Sequence, residues 1–106
     1  PRCEHLPPAS YQRGKPLAIE MALESAYQVS RVRLHYRHAN QAEAYQVEDM
    51  PANGARYQRN IPAGYTDSPY PLEYFFELSD HQGQAWMYPG FGADRTNQPY
   101  FVVRQA

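Results

Sequence analysis

The sequence predicts an all-β fold, an antiparallel sandwich of two sheets with about seven strands. Large apolar residues occupy every second position of segment 72–78. The same alternation runs through 31–38, where arginine and histidine stand between the apolar residues. A period of two places one face of a strand in a core and the other in water. Ten prolines and six glycines separate the short runs of this 106-residue chain, which favours strands joined by turns.

The bulk composition indicates one domain without a general affinity for charged polymers. A chain of this length buries roughly two-thirds of the surface that its unfolded form exposes. The net charge of -1 predicts no attraction for nucleic acid or for an anionic membrane. No apolar run approaches the roughly 20 residues that a membrane-spanning helix needs. Cys3 is the single cysteine, so the chain cannot form an internal disulfide.

The first half of the chain begins with a proline-rich stretch. Residues 1–13 are predicted to be a linker or edge segment, and the sandwich is predicted to span 14–106. The first regular strand covers 17–24, because helical spacing would scatter its four apolar residues around a cylinder. Those inward residues are Leu17, Ile19, Met21 and Leu23. The next strand covers 31–38.

A fourth strand is predicted at about 44–50, with Tyr45 and Val47 as its apolar positions. The composition Pro-Ala-Asn-Gly at 51–54 then predicts a turn, in which Asn-Gly can supply a positive φ.

The strand at 56–61 places Tyr57 and Ile61 inward and puts Arg59 on the same face. An arginine there either lies at the rim, with its stem packed and its charge in water, or pairs with an acid. We favour the rim.

The rest of the chain continues in the same manner, and no segment predicts a helix. The elements in order are a loop at 61–71, a strand at 71–79, a turn at 80–83, a strand at 84–88, a loop at 89–99 and a final strand at 100–104. The side chains expected to share one core are Leu17, Ile19, Met21, Val32, Leu34, Tyr36, Tyr74, Phe76, Leu78 and Val102.

Several short stretches together have a familiar order. They are VRLHYR (32–37), YQVEDM (45–50), Ile-Pro-Ala (61–63), LEYFFELSD (72–80) and the run from Gly83 to Pro89. Over about 14–104 this order resembles the fibronectin type III and immunoglobulin-like domains of bacterial multidomain proteins. The resemblance implies a non-catalytic spacer, interaction or carbohydrate-binding module. The sequence does not determine the location of the protein, and we favour the outside of the cell or its envelope. Because the chain begins at Pro1 rather than Met, we expect a piece of a longer protein, with neighbouring domains of that polypeptide as its partners.

The histidine pair His35-x-x-His38 is the first candidate for a metal site. On a strand, residues three apart point to opposite faces, so the two rings cannot bind one ion. We therefore expect neither a metal nor a cofactor.

The most polar strip of the chain is the outward row Arg33, His35 and Arg37. If the strands at 31–38 and 71–79 are neighbours, this row faces Glu73 and Glu77. A ligand carboxylate or sulfate could use the same arginines, but a ladder of opposite charges between the strands is the favoured interpretation.

The sequence does not predict an enzyme. Hydrolysis of a glycoside needs two acids that converge in a cleft, whereas the aspartates here fall in separate turns. The serines lack the glycine elbow that exposes a nucleophile.

The last candidate site is aromatic. Trp86, Tyr88 and Phe91 could stack on the apolar faces of a sugar, with Asp94 or Asn97 orienting its hydroxyls. In the alternative interpretation, which we favour, Trp86 and Tyr88 close one end of the core. Further aromatic residues outside the expected core are Tyr65, Tyr70 and Phe75. The sequence thus predicts a spacer or domain-docking module, with a carbohydrate-binding module as the alternative.

Overall fold

Two antiparallel β-sheets make up the protein. The computed structural model describes residues 3–24, 29–40, 42–90 and 99–106. The elements in these ranges are β1 (Cys3–Glu4), β2 (Leu17–Leu23), β3 (Arg31–His38), β4 (Gln46–Asp49), β5 (Ala52–Asn53), β6 (Arg56–Ile61), α1 (Ala63–Thr66), β7 (Leu72–Ser79), β8 (Ala85–Tyr88) and β9 (Phe101–Val103). Sheet 1 has the order β1-β2-β6-β5. Sheet 2 has the order β4-β3-β7-β8, and β9 pairs with the other half of β7. The prediction of an all-β sandwich is confirmed.

The two turns that the sequence indicated have the expected chemistry. Gly54 joins β5 to β6 with a φ of 64°. The carboxylate of Asp80 accepts hydrogen bonds from the backbone N–H groups of Gln82 and Gln84, each at 2.9 Å. Gly83 completes this second turn with a φ of 86°, a conformation that glycine adopts without steric cost.

The prediction of a loop at 61–71 is wrong in part, because α1 makes one helical turn there. The carbonyl of Pro62 accepts hydrogen bonds from the backbone N–H groups of Tyr65 and Thr66. The fully buried Thr66 hydroxyl donates to the carbonyl of Lys15 at 2.7 Å. Contacts distant in sequence thus stabilise a turn that local composition does not indicate.

Nine of the ten expected core residues are buried in one shared cluster, and Val102 is the exception. In β9, Val103 lies opposite Leu72 and is 1% exposed, whereas Val102 lies opposite Glu73 on the outer face. The sequence has two consecutive valines, so alternation alone does not give the phase of this strand. The pairing of β9 with β7 determines this phase.

The fourth strand also has a different phase from the expected one. Val47 lies opposite His35 on the outer face of sheet 2 and is 44% exposed. The inward position belongs to Glu48, whose carboxylate accepts a hydrogen bond from the Tyr36 hydroxyl at 2.7 Å. Met50, just beyond the strand, supplies the buried apolar side chain.

Arg59 shows why a carboxylate occupies an inward position. Its Nη2 atom lies 2.8 Å from Oε1 of Glu48, so the two charges compensate each other between the sheets. The rim interpretation of Arg59 is corrected: its side chain is 38% exposed, but its charge is paired with an acid.

The chain crosses the sandwich from end to end. We call the end with Leu23 and Arg31 the lower pole and the end with Leu17 and Leu72 the upper pole. β1 lies at the lower pole, where Cys3 faces Leu23. β9 reaches the upper pole, where Val103 faces Leu72. Among the described residues, no helix is long and apolar enough to cross a membrane.

Between these ends, the N-terminal segment passes from sheet 1 to sheet 2. The backbone N–H of Tyr11 donates to the carbonyl of Arg104 at 3.0 Å, and the N–H of Ala106 donates to the carbonyl of Tyr11 at 2.9 Å. The buried Tyr11 hydroxyl donates to the carbonyl of Tyr70 at 2.6 Å. The segment thereby joins both sheets.

Truncation of the core ring Phe76 tests this packing. Phe76 is fully buried, whereas its neighbour Phe75 faces outward and is only partly buried. We expect Phe76→Ala to lower the free energy of unfolding by about 3–5 kcal/mol in chemical denaturation, because it leaves a cavity in the core. Phe75→Ala is the matched control and should cost clearly less. Equal losses would contradict the assignment of inner and outer faces.

Candidate functional site

The most organised surface of the protein is the outer face of sheet 2, which we call the paired-charge face. It consists of Arg33, His35, Arg37, Tyr45, Glu73, Phe75 and Glu77. The expected pairing of the two strands is confirmed: Arg33 lies opposite Glu77, His35 opposite Phe75, and Arg37 opposite Glu73. Alternation along β3 and β7 places these side chains on one surface.

Glu77 links two cationic partners on this face. Its Oε2 atom accepts from Nη2 of Arg33 at 2.9 Å, and its Oε1 atom lies 2.7 Å from Nε2 of His35. Burial alone would raise the pKa of Glu77, but the hydrogen bonds from His35 and Arg33 outweigh burial and lower it. The His35 ring stacks on Phe75 with centroids 4.5 Å apart.

Glu73 is the most buried acid of the face, at 5% exposure. Nε of Arg37 donates to its carboxylate, and the Tyr45 hydroxyl donates to the same oxygen at 3.3 Å. The guanidinium of Arg37 also lies 4.4 Å from the centroid of the Tyr45 ring. A cation above an aromatic face adds attraction to the ion pair.

These contacts determine what the face can do chemically. Arg33 and Arg37 are engaged by carboxylates of their own sheet, which supports the ladder interpretation over a site for an anionic ligand. The exposed apolar side chains at the margins are Val47 and Met87, at 44% and 53%. The face is therefore electrically balanced, with side chains fixed by their neighbours.

A second cluster lies at the upper pole around His38. Its Nδ1 atom lies 2.7 Å from the Glu43 carboxylate, and its Nε2 atom lies 2.8 Å from the carbonyl of Tyr65. The His38 and Tyr65 rings stack in parallel at 4.0 Å, and the Tyr65 hydroxyl donates to Glu43. Both ring nitrogens of His38 face acceptors, so neither presents a free lone pair to a substrate.

No pattern in the sequence indicates this cluster. The positions 38, 43 and 65 have no repeating spacing, and Tyr65 is placed by the turn α1. His35 and His38 are engaged by different partners, as the opposed faces of a strand require. Within the described part of the chain, no three His, Cys, Asp or Glu side chains come close enough to hold a metal ion.

Two residues of the predicted aromatic site, Trp86 and Tyr88, lie in the edge strand β8. Trp86 is opposite Leu78 and Tyr88 is opposite Phe76, so both rings face inward. They are partly buried and pack against the core. Phe91, Asp94 and Asn97 lie outside the described residues. The other aromatic candidates are elsewhere: Phe75 on the paired-charge face, and Tyr65 and Tyr70 at the upper pole.

The chain matches no protein-family model, and no curated protein matches its sequence. Its function must therefore be inferred from the fold and from the chemistry of its surfaces.

Two arginines of sheet 2 allow a matched test of the paired-charge face. The Arg37–Glu73 side chains are 19% and 7% exposed, and those of Arg31–Asp49 are 52% and 61% exposed. We expect Arg37→Met to lower the free energy of unfolding by about 3 kcal/mol, because it leaves a buried carboxylate unpaired. Arg31→Met should cost clearly less, because water screens the exposed Arg31–Asp49 pair. The double variant Arg37→Met with Glu73→Gln should recover part of the lost free energy of unfolding. Chemical denaturation measures all three variants. Similar costs for both arginines would show that burial does not distinguish the pairs.

Trp86→Ala separates the two interpretations of the tryptophan strand. If Trp86 closes the core, its loss should lower the free energy of unfolding by about 2 kcal/mol. Cellulose, chitin and xylan should then leave the emission of this single tryptophan unchanged in the wild-type chain. Tyr70→Ala, which removes a half-exposed ring at the upper pole, is the control for stability. Loss of polysaccharide retention in Trp86→Ala with an unchanged Tm would instead assign Trp86 to a sugar site.

Proposed function

We propose that this chain is a non-catalytic accessory module, a spacer and docking domain between neighbouring domains of a larger protein. The main support for the proposal is the position of the first and last strands, β1 and β9. β1 lies at the lower pole and β9 reaches the upper pole. A chain that enters one pole and leaves the opposite pole can connect two domains in line.

The dimensions of the sandwich suit such a role. Its principal extents are 39, 31 and 23 Å, so one axis is clearly the longest. The three-sided contacts of Tyr11 with Arg104, Ala106 and Tyr70 join the entering segment to the leaving strand. The module can therefore hold its neighbours at a defined separation.

The strand order supports an assignment to the fibronectin type III or immunoglobulin-like type. In the immunoglobulin sandwich, strands A, B, E and D form one sheet, and C, F and G form the other. Here β1, β2, β6 and β5 follow the first order, and β3, β7 and β8 follow the second, with β4 beside β3. Similar sandwiches serve many unrelated functions, so the role is argued from the poles and surfaces.

The non-catalytic part of the proposal is supported by the contacts of the acids. Glu73, Glu77 and Glu43 each accept hydrogen bonds from a cationic side chain or from a histidine of the same sheet. The hydrogen bonds from their partners lower the pKa of Glu77 and of Glu43, so these two acids are poorly suited to donate a proton. The inward position of Trp86 favours the spacer over the carbohydrate-binding alternative.

A tandem chain tests the spacer role. Two copies joined end to end should form an in-line rod whose maximum dimension in small-angle X-ray scattering is about twice that of one copy, because the poles lie at opposite ends of each sandwich. A version with a flexible Gly/Ser linker of about 20 residues is the control, and it should give a broader distribution of distances.

Two results would contradict the proposed function. One is a tandem chain that folds back into a side-by-side particle. The other is turnover of nitrophenyl glycosides or esters by the single copy that is lost in Glu77→Gln or Glu43→Gln.

A further inference from the structure

Residues 3–8, which we call the N-terminal strap, lie along the open edge of the sandwich between β2 and β7. The strap contributes only two residues to sheet 1, Cys3 and Glu4, which face Leu23 and Ala22. Beyond them Leu6 is 90% exposed, and Pro7 and Pro8 have no backbone N–H to donate. The backbone pairing of the strap is therefore slight.

A single imidazole supplies much of the remaining attachment. Nδ1 of His5 lies 2.6 Å from the carbonyl of Glu20 in sheet 1. Its Nε2 atom lies 2.6 Å from the hydroxyl of Tyr74 in sheet 2. One ring thus joins the strap to both sheets at once.

The surroundings of this ring are aromatic. The centroids of Tyr74, Phe76 and Phe101 lie 5.5, 4.9 and 4.8 Å from that of His5, all in edge-to-face arrangements. Burial lowers the pKa of His5, and the hydrogen bond to the Glu20 carbonyl opposes this effect only in part. The neutral ring is therefore the form that this site accommodates.

The hydrogen bonds lead to the same conclusion. In the neutral ring, Nδ1–H donates to Glu20 and Nε2 accepts from the Tyr74 hydroxyl, so both nitrogens are satisfied. A proton on Nε2 turns the acceptor into a donor. The Tyr74 hydroxyl then has to accept, and within the described part of the chain its own hydrogen has no second acceptor.

No neighbouring charge compensates for the added proton among the described residues. The Tyr74 hydroxyl of β7 bonds to the ring, and two further titratable groups, the Cys3 thiol of β1 and the Tyr88 hydroxyl of β8, pack against the same core cluster. Burial raises the pKa of each of these groups and so keeps them uncharged. The side chain of Glu20 points away, to an exposed pair with Arg56, and that of Glu4 is exposed.

We propose that the N-terminal strap is an acid-sensitive latch: protonation of His5 releases residues 3–8 and uncovers the edge of β2, while the rest of the sandwich stays folded. Because the pKa of His5 is lower in the closed strap than in the released strap, the closed form is fully favoured above the ordinary histidine pKa of about 6.5. It loses stability as the pH falls from there. Each unit of pKa difference increases the opening constant up to tenfold at low pH.

Tyr11 limits how far the release extends. Its backbone bonds to Arg104 and Ala106 and its hydroxyl bond to Tyr70 involve no group that titrates near neutral pH. The chain beyond the strap therefore remains attached to sheet 2 when residues 3–8 leave.

The single cysteine provides a direct measurement of opening. Cys3 lies in the strap and packs partly buried against the core. The thiol reacts with 4,4′-dithiodipyridine. The protection factor is the reaction rate of a free peptide of residues 1–8 divided by the reaction rate of Cys3 in the folded chain at the same pH. We expect this factor to fall severalfold between about pH 7.5 and about pH 5, while the far-UV circular dichroism and the Trp86 emission stay those of the folded chain.

Two histidine variants make the test specific. His5→Gln retains groups that can bond to Glu20 and Tyr74 but does not titrate, so its protection should not depend on pH. His81→Gln, in an exposed turn, should behave like the wild type. The proposal is overturned if wild-type protection is constant over this range, if the fall persists in His5→Gln, or if the whole domain unfolds over the same range.

A measurement on the wild-type chain keeps the test independent of variants. In nuclear magnetic resonance titrations, the ring signals of His5 should have a lower midpoint in the folded chain than in the free peptide of residues 1–8. The amide signals of Cys3 and Glu4 should change with the His5 midpoint. A His5 midpoint in the folded chain at or above that of the peptide would overturn the latch.

Discussion

The pairing of β3 with β7 determines which side chains enter the core and which form the outer face of sheet 2. Eight consecutive residues of each strand are in register, from Arg31 opposite Ser79 to His38 opposite Leu72. This one register places Leu34 and Phe76 in the core and Arg33 and Glu77 on the outer face. A slip by one residue would exchange the faces, because side chains alternate with a period of two. The arginines would then be buried without partners, at a cost well above that of a lost apolar contact. The charges on the outer face thus favour the register that the core requires.

The same pairing explains why the outer face has many charged side chains and yet little net charge. Arg31, Arg33 and Arg37 are all engaged, by Asp49, Glu77 and Glu73 in turn. The buried members of these pairs contribute order more than net stability, since the desolvation of two charges offsets most of their attraction. The opposite charges on this surface therefore compensate each other in pairs. Its aromatic side chains, Tyr45 and Phe75, support the pairs from the side by a cation–π contact and by ring packing.

The sequence predicted those features that depend on neighbours along one strand, and it missed those that depend on distant contacts. The alternation in β2, β3 and β7 was sufficient to assign their inner and outer faces and to anticipate the row opposite Glu73 and Glu77. It could not assign the phase of β9, where Val102 and Val103 are equivalent by composition. Nor could it indicate that His5 bonds to Tyr74, 69 residues away, or that His38, Glu43 and Tyr65 meet at the upper pole. These groups are brought together by the crossing of the N-terminal segment and by the turn α1, neither of which has a periodic pattern.

The crossing of the N-terminal segment also determines how the domain carries mechanical tension. When the sandwich is pulled through Cys3 and Gln105, the lower pole is drawn one way and the upper pole the other, so the load runs along the strands. The strap has only two paired residues and detaches first. The force then reaches Tyr11 and Gln105, which form a parallel bridge. Parallel neighbours pulled in opposite directions slide past each other in shear, so their hydrogen bonds resist together rather than opening one after another. A domain attached in this way yields a short length of chain at low force and then stiffens.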